Sequence, residues 1–298
     1  MAEQIAGFGS TSHVVPPATG GNEGVGEVVS VGSGVKGVKE GDWVVPSVSG
    51  VGTWSTHAVA QASDICVIDK SANLPVEHAA TAVVAPALAH CLLQFADLSE
   101  GDVIIQNNAG SSVGQVVQQL AAEKGVVVVN VLRDHPQLDD LSSHFEGLNP
   151  ASVTVTEEVA RTPELRKIMS DMPAPKLALD STGGAMALVV ADCLRPGGTM
   201  VTYGNMSRKP VVLPMQLLLD RGIVARGFNL DAWARQVGPE RRNELVRKLA
   251  ADAAQGKWRQ LLAWEPFADF DLALQRSLRD HERKVVTVME PSDERLDA

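Results

Sequence analysis

The stretch "DVIIQNNAGSSVGQVVQQLAAEKG", Asp102 to Gly125, sets an apolar run, a turn of small residues and an amphipathic run in immediate succession. A turn built on Gly110, Ser111, Ser112, Val113 and Gly114 keeps bulky side chains away. Backbone amides and the positive end of a following helix can then approach a diphosphate. Ala109 to Gly114 keeps only part of the G-x-G-x-x-G spacing, and an ordinary tight strand-to-helix turn could carry the same residues. The context argues for a phosphate cradle: a strand before, a helix after, and a second strand ending about twenty residues on. That second strand runs into "NVLRDHP", which presents Arg133, then Asp134 and His135. A carboxylate in this place binds the ribose hydroxyls of NAD, whereas a guanidinium holds a 2′-phosphate through bidentate, charge-assisted hydrogen bonds. Arg133 favours NADPH, Asp134 keeps the NAD reading open, and a plain surface charge is the third account. "GGTMVTYGNMSRK" repeats the logic, placing Tyr203, Gly204, Asn205 and Met206 beyond another strand, where open α/β sheets take ligands. A simple strand-to-loop turn explains that string equally well.

The elements that must position these residues follow from periodicity. "DVIIQN", "VVVVNVL", "SVTVT", "KLALDS", "GTMVTYG" and "IVARGF" are apolar almost throughout, and they alternate with the amphipathic "SVGQVVQQLAAEKG", "GGAMALVVADCL" and "MQLLLDRG". Strands hydrophobic on both faces and separated by helices require a parallel sheet covered on both sides, the doubly wound α/β or Rossmann arrangement. Ahead of it, "VGEVVSVG", "GDWVVPS", "THAVA" and "ICVI" are valine-rich runs bounded by Gly, Pro and Ser, which predicts a small antiparallel β unit. "EHAATAVVAPALAHCLLQF" switches to helical spacing, with Pro86 kinking or dividing it. Glu240 to Gln255 suits a surface helix, "KVVTVME" a closing strand, and the tail after Pro291 is expected to be disordered. The change of period from Val76 places a domain boundary there.

Composition excludes several classes. The 298 residues, 45% of them hydrophobic, can fill a sizeable core, and a formal charge of −10 with scattered basic residues argues against a nucleic-acid partner. No run approaches the roughly 18 apolar residues that span a bilayer, so no membrane role is expected. "MAEQIAGFGSTSH" has neither the basic region nor the apolar core of a signal peptide. Cys66, Cys91 and Cys193 lie far apart with no partner at metal-ligand spacing, so they read as buried apolar residues and no metal is expected. His13, His57, His78, His90, His135, His144 and His281 are dispersed and read as surface or packing residues.

In order along the chain, "GGNEGVGEVVSVGSGVKGVKEGDWVVP", "GVGTW", "SVGQVVQQLAA", "NVLRD", "EGLNPASVTVTEE", "GGTMVTYGNM" and "RKVVTVM" resemble the mitochondrial 2-enoyl thioester reductases of the medium-chain dehydrogenase/reductase superfamily. The similarity runs from about Gly20 to Glu290. It implies a GroES-like catalytic β domain over 1–80, incomplete here, a Rossmann NADPH-binding domain over 81–235, and a segment over 236–298 that returns to the catalytic domain. It also implies a zinc-free enzyme in which Asn22 stands structurally where zinc relatives keep a histidine ligand. The implied cofactor residues are Gly110, Ser111, Ser112, Val113, Arg133, Asp134, Tyr203, Gly204, Asn205, Met206, Phe228, Asn229, Leu230 and Lys284. The implied activity is NADPH-dependent reduction of an enoyl-CoA or enoyl-acyl carrier protein in mitochondrial fatty acid synthesis, carried out by a homodimer.

Several positions depart from that pattern. Gly110 replaces an asparagine, Asn229 a tryptophan, and Ala85 the asparagine before a proline. The family's longer opening segment is lacking or replaced over Met1 to Thr19, which would leave sheet edges and apolar surface exposed. Phe8 occupies the likeliest place of a tyrosine thought to assist at the substrate carbonyl or as a proton donor, and phenylalanine has no hydroxyl to donate. No catalytic residue is therefore assigned from sequence. A zinc-free quinone or alkenal reductase and a catalytically silent nucleotide-binding dimer partner remain alternatives.

Overall fold

A computed structural model describes residues 18–133, 138–279 and 283–289. The backbone forms two compact units, one from residues 1–87 with 230–298 and one from residues 88–229. Phe8, His13, His135, His281 and the tail after Pro291 lie outside the described residues.

The first unit opens with a three-stranded antiparallel sheet, β1 (Gly26–Glu27), β2 (Trp43–Pro46) and β3 (Ile65–Ile68), in that lateral order. Val45 sits opposite Cys66 and both are buried, the thiol packing as a small hydrophobe whose pKa burial raises. "THAVA", expected as a further strand, is not one: Thr56 to Ala60 joins no sheet among the described residues, and Val59 is fully exposed. A valine-rich run takes its strand preference from packed neighbours, and here none flank it. Val29, Val35 and Val48 are exposed as well, so this sheet carries open apolar surface. The apolar helical run divides into α1 (Val76–Ala80) and α2 (Ala85–Leu92), with Pro86 in the first turn of α2, where its missing N–H would have no intrahelical acceptor.

The second unit is a six-stranded parallel sheet of β4 (Val103–Asn107), β5 (Val127–Leu132), β6 (Val153–Thr156), β7 (Leu177–Asp180), β8 (Thr199–Thr202) and β9 (Val224–Gly227). The lateral order β6-β5-β4-β7-β8-β9 reverses direction between β4 and β7, the switch point of a doubly wound sheet. The intervening helices are α3 (Ser112–Ala122), α4 (Leu138–Leu148), α5 (Glu157–Ala160), α6 (Glu164–Ile168), α7 (Gly184–Asp192) and α8 (Met215–Leu219). On one face Val103, Ile105, Val129, Val131, Ala178 and Met200 pack with Leu165, Met186 and Val190 into an apolar core.

The alternate positions of β4 and β5 carry buried amides. Gln106 donates to the Gly114 carbonyl at 3.1 Å and to Asn130 Oδ1 at 2.8 Å, Asn130 donates to Gln118 Oε1, and Gln118 donates to the Phe145 carbonyl at 2.6 Å. Each of these amides donates to an acceptor, while Gln106 Oε1 is buried without a partner.

The chain then returns to the first unit. The helix expected over Glu240 to Gln255 begins earlier, as α9 (Leu230–Ala254), and breaks at Gly238, whose φ of +83° only glycine adopts readily, immediately before Pro239. Its second half is not a surface helix. Val246, Leu249, Ala250 and Ala253 are buried, Arg242 donates to the Pro46 carbonyl at 3.1 Å, and the Ser47 hydroxyl donates to Asn243 Oδ1 at 2.6 Å. Trp258 is fully buried, with its indole N–H on the Leu249 carbonyl at 2.9 Å and its ring 5.7 Å from that of His78. Then β10 (Leu262–Pro266), α10 (Phe270–Arg279) and β11 (Lys284–Val288) form a βαβ unit with parallel strands, β11 being the expected closing strand.

Burial opposes the charge of Asp252 in α9, but hydrogen bonds from Lys248 and Lys257 outweigh it and hold the carboxyl below its usual range. A depressed folded-state pKa adds stability above the unfolded value and loses it as pH falls through the folded one. Asp252→Asn should therefore lower the urea midpoint at pH 7 by the equivalent of about 1 kcal/mol. The difference from the unsubstituted protein should fade below about pH 4, and one that persists there would mean the charge is not what stabilises.

Candidate functional site

Beyond β4 the backbone turns sharply at Asn108, left-handed at φ +51°, a conformation asparagine tolerates better than most residues. Ser111 closes the turn with its N–H on the Asn108 carbonyl at 3.0 Å and then caps α3, its hydroxyl oxygen accepting from the Gly114 N–H at 3.3 Å. The first intrahelical bond runs from Gln115 N–H to the Ser111 carbonyl at 2.9 Å, so the amides of Ser112 and Val113 have no intrahelical acceptor. Because Ser111 accepts at the cap, its own proton stays available to a ligand oxygen. The Gly110 carbonyl is taken by Gln115 Nε2 at 2.7 Å, which ties the turn to the helix it starts. A Cβ on Gly114 would lie 2.2 Å from the Ala109 carbonyl oxygen, so loop and helix approach as only glycine allows. Free amides at a helix N-terminus, with the backbone drawn in this closely, suit a diphosphate.

Arg133 stands exposed just past β5, the neighbour of β4, and Asp134 lies outside the described residues. Past β8, the Tyr203 N–H donates to the Asp180 carbonyl at 2.8 Å and the Met206 N–H to the Ser181 carbonyl at 3.0 Å. A Cβ on Gly204 would come 2.9 Å from that Ser181 oxygen. Asn205 and Met206 are exposed. The Tyr203 phenol oxygen is enclosed without a hydrogen bond. Burial pushes its pKa up to about 12, against a pull downward from the Ser181 side chain. Phe228 follows β9, with its N–H on the Thr202 carbonyl at 2.9 Å and its ring edge-on to Phe95 at 5.6 Å; Asn229 beside it is exposed.

One sheet edge thus carries Arg133, the 110–113 turn, the 203–206 loop and Phe228 with Asn229, in strand order. Leu230 and Lys284 belong to the other unit, where the Lys284 ammonium pairs with the Glu23 carboxylate. Asn22 in that unit accepts the Gly50 N–H on its Oδ1 at 2.7 Å. Burial lowers the pKa of His78, with Arg259 adding to the effect against Glu77, and its Nε2 faces the Gln260 N–H at 3.4 Å, the setting of a neutral packing residue.

Sequence reasoning passed over the turn after β7. Asp180 is fully buried and joined by hydrogen bonds to Asn107 at the end of β4 and to Thr202 at the end of β8. The readable signal was an acid directly after an apolar strand and ahead of Ser-Thr-Gly-Gly.

The Alcohol dehydrogenase GroES-like domain family model matches residues 3–72. The mitochondrial enoyl-[acyl-carrier-protein] reductase of Rattus norvegicus is 41% identical over 266 residues, spanning 88% of this chain and 70% of that protein. Among solved structures, the Etr1p/NADP/crotonyl-CoA complex superposes at a TM-score of 0.80 with 28% identity, over 88% of this chain and 78% of its own. The mitochondrial 2-enoyl thioester reductase Etr1p/Etr2p heterodimer from Candida tropicalis does so at 0.80 with 27% identity and the same coverage.

The contact under Gly114 can be tested directly. Gly114→Ala gains helix propensity, but its Cβ meets backbone rather than a movable side chain, so stability should fall by about 1–3 kcal/mol. The urea midpoint reads this, and an unchanged or raised midpoint would show that the turn has slack.

Proposed function

We propose, from the premise that this chain belongs to the family of mitochondrial enoyl-[acyl-carrier-protein] reductases, that it reduces trans-2-enoyl thioesters to saturated acyl thioesters with NADPH in the mitochondrion. The single observation that carries the reading is the pairing, on adjacent strands, of a helix N-terminus with unpaired amides and a guanidinium at Arg133. When bound, NADPH supplies the hydride that adds at C3 of the enoyl group.

In this reading the amides of Ser112 and Val113 and the Ser111 hydroxyl hold the diphosphate, with Gly110 and Gly114 leaving room for it. Arg133 grips the 2′-phosphate through its planar fork, and Asp134 would be its neighbour at the same strand end. Tyr203, Gly204, Asn205 and Met206 form the opposite rim, with Phe228 and Asn229 next along the sheet edge. Leu230 and Lys284 enter only by correspondence with the family, and Lys284 must release Glu23 before it can meet a phosphate. The chain's part in the chemistry is orientation and the supply of hydrogen bonds as charge develops on the thioester oxygen; no side chain acts as a nucleophile. Acyl carrier protein is the proposed natural carrier of the enoyl group, and coenzyme A its smaller stand-in.

We also propose a homodimer joined through β9. This edge strand is exposed along its whole length, and Val211, Val212, Met215, Leu219 and Val224 around it are exposed apolar side chains. An open strand edge beside an apolar patch is protected by pairing with its own copy across a twofold axis.

Crotonyl-CoA-dependent oxidation of NADPH tests the activity. Turnover with quinones alone, or nucleotide binding with no turnover, would favour the two rival readings. Arg133→Ala should weaken NADPH binding roughly tenfold to a hundredfold, as expected for a lost charge-assisted pair, and leave NADH within about twofold. Equal loss of both would make Arg133 structural. Val212→Asp, placing a charge on the exposed patch, should shift the mass measured by light scattering from two chains to one; a single-chain mass for the unsubstituted protein would remove the dimer proposal.

A further inference from the structure

Resting on the NADPH reading, we propose that Asp180 is a positioning residue for the nucleotide: it fixes the spacing between the two loops that border the site without touching the cofactor. Asp180, Asn107 and Thr202 are the last residues of three adjacent parallel strands, β7 flanked by β4 and β8, with Asp180 and Thr202 in direct register. Asp180 Oδ1 accepts from Asn107 Nδ2 at 2.6 Å and from the Gly183 N–H at 2.9 Å, and Oδ2 accepts from the Thr202 hydroxyl at 3.0 Å. Asn107 Oδ1 in turn accepts the Ser181 N–H at 2.9 Å. Both Asp180 and Asn107 are fully buried.

The two loops hang on this hub. The first begins at Asn108, whose side-chain amide donates to the Ser181 hydroxyl at 3.2 Å, and runs into the 110–114 turn. The second is held by backbone bonds from Tyr203, Met206 and Ser207 to the carbonyls of Asp180, Ser181 and Thr182, the Ser207 bond at 2.8 Å. These loops follow strands that are not neighbours, so no shared ladder sets their separation; β7 and its terminal carboxylate do. Bound geometry is productive only when such walls are held to a fraction of an ångström, and a buried side chain hydrogen-bonded through both of its oxygens supplies that stiffness.

Charge and arms separate in substitution. Asp180→Asn can still offer one oxygen to Asn107 and Gly183, and its NH₂ can donate to Thr202, so it keeps the connections and should be mild. Thr202→Val removes only the β8 arm while preserving shape and β-branching, and the rest of the hub should keep the fold. Asp180→Ala removes every arm and serves only if it folds.

The measurement is NADPH affinity by tryptophan fluorescence, together with kcat and KM for NADPH with crotonyl-CoA as acceptor, on full-length protein well below its thermal midpoint. Thr202→Val is expected to raise the Kd and KM for NADPH about tenfold, more than it lowers kcat, with Thr202→Ser restoring both and Asp180→Asn within about threefold of the unsubstituted protein. A lowered thermal midpoint with unchanged NADPH Kd and KM would make the hub merely structural and overturn the proposal. If the unsubstituted protein itself fails to bind NADPH, the functional reading falls and takes this inference with it, which is a different result from equal binding by both proteins.

Discussion

A carboxylate sealed in a protein core is costly unless donors surround it, and Asp180 is such a group: no solvent exposure, and neutral donors from the ends of β4 and β8 and from the turn after β7. That requirement orders much else in the sheet. Asn107 has to present its amide to the carboxylate, which leaves its carbonyl for the backbone beyond β7. Thr202 has to end β8 with a hydroxyl, which places Tyr203 on the Asp180 carbonyl. The C-terminal edge of the sheet is where parallel strands open into loops, and here it is stiffened by side chains before any ligand arrives. The buried amide chain through Gln106, Asn130 and Gln118 does the same beneath α3, so the helix whose N-terminus faces the site rests on a hydrogen-bonded floor.

Local features were legible in the sequence. The apolar runs became β4 and β5 because a strand covered on both faces is mostly apolar, and Gly114 was legible as a close approach, since a Cβ there would lie 2.2 Å from the Ala109 oxygen. Arg133 was legible as a cation at a strand end, and it stands exposed just past β5. What escaped was non-local. Asn107 and Asp180 meet across 73 residues, and nothing in either neighbourhood foretells the pairing. "THAVA" had strand composition without a partner strand, and the buried side of α9 depended on β3, far earlier in the chain. Lys284 is legible as a cation, but its pairing with Glu23 is not.

The units differ in how their polar groups are satisfied. In residues 88–229 the buried side chains of Asn107, Gln118, Asn130 and Asp180 bond to neutral groups, while the ion pairs Lys176–Asp102 and Arg221–Asp192 lie at partly open positions. The other unit has neutral bonds too, Ser47 to Asn243 and Gln260 to Thr81, but charged groups take a larger part: Arg242 on the Pro46 carbonyl, Lys284 on Glu23, Asp252 between two lysines. Ion pairs partly open to water are weakened by salt, whereas buried amide bonds are not. A sheet that must keep loop spacing constant is better served by the second kind, and that is the kind found beneath the candidate cofactor loops.

The proposed reaction divides into hydride delivery and protonation, and the two ask different things of the chain. The chain holds one tyrosine, and its oxygen is enclosed beside the 180–181 turn, with burial keeping it protonated up to about 12. A positioned acid contributes about 10²- to 10⁴-fold in rate, but orientation of the hydride donor against C3 and stabilisation of charge on the thioester oxygen are separate contributions. Hydride addition leaves a basic enolate that water can protonate, so the step that most needs the protein is the one before it. Holding a nicotinamide in line with a carbon atom is a problem of loop spacing. In this chain that spacing descends through Tyr203 and Asn108 to one buried carboxylate.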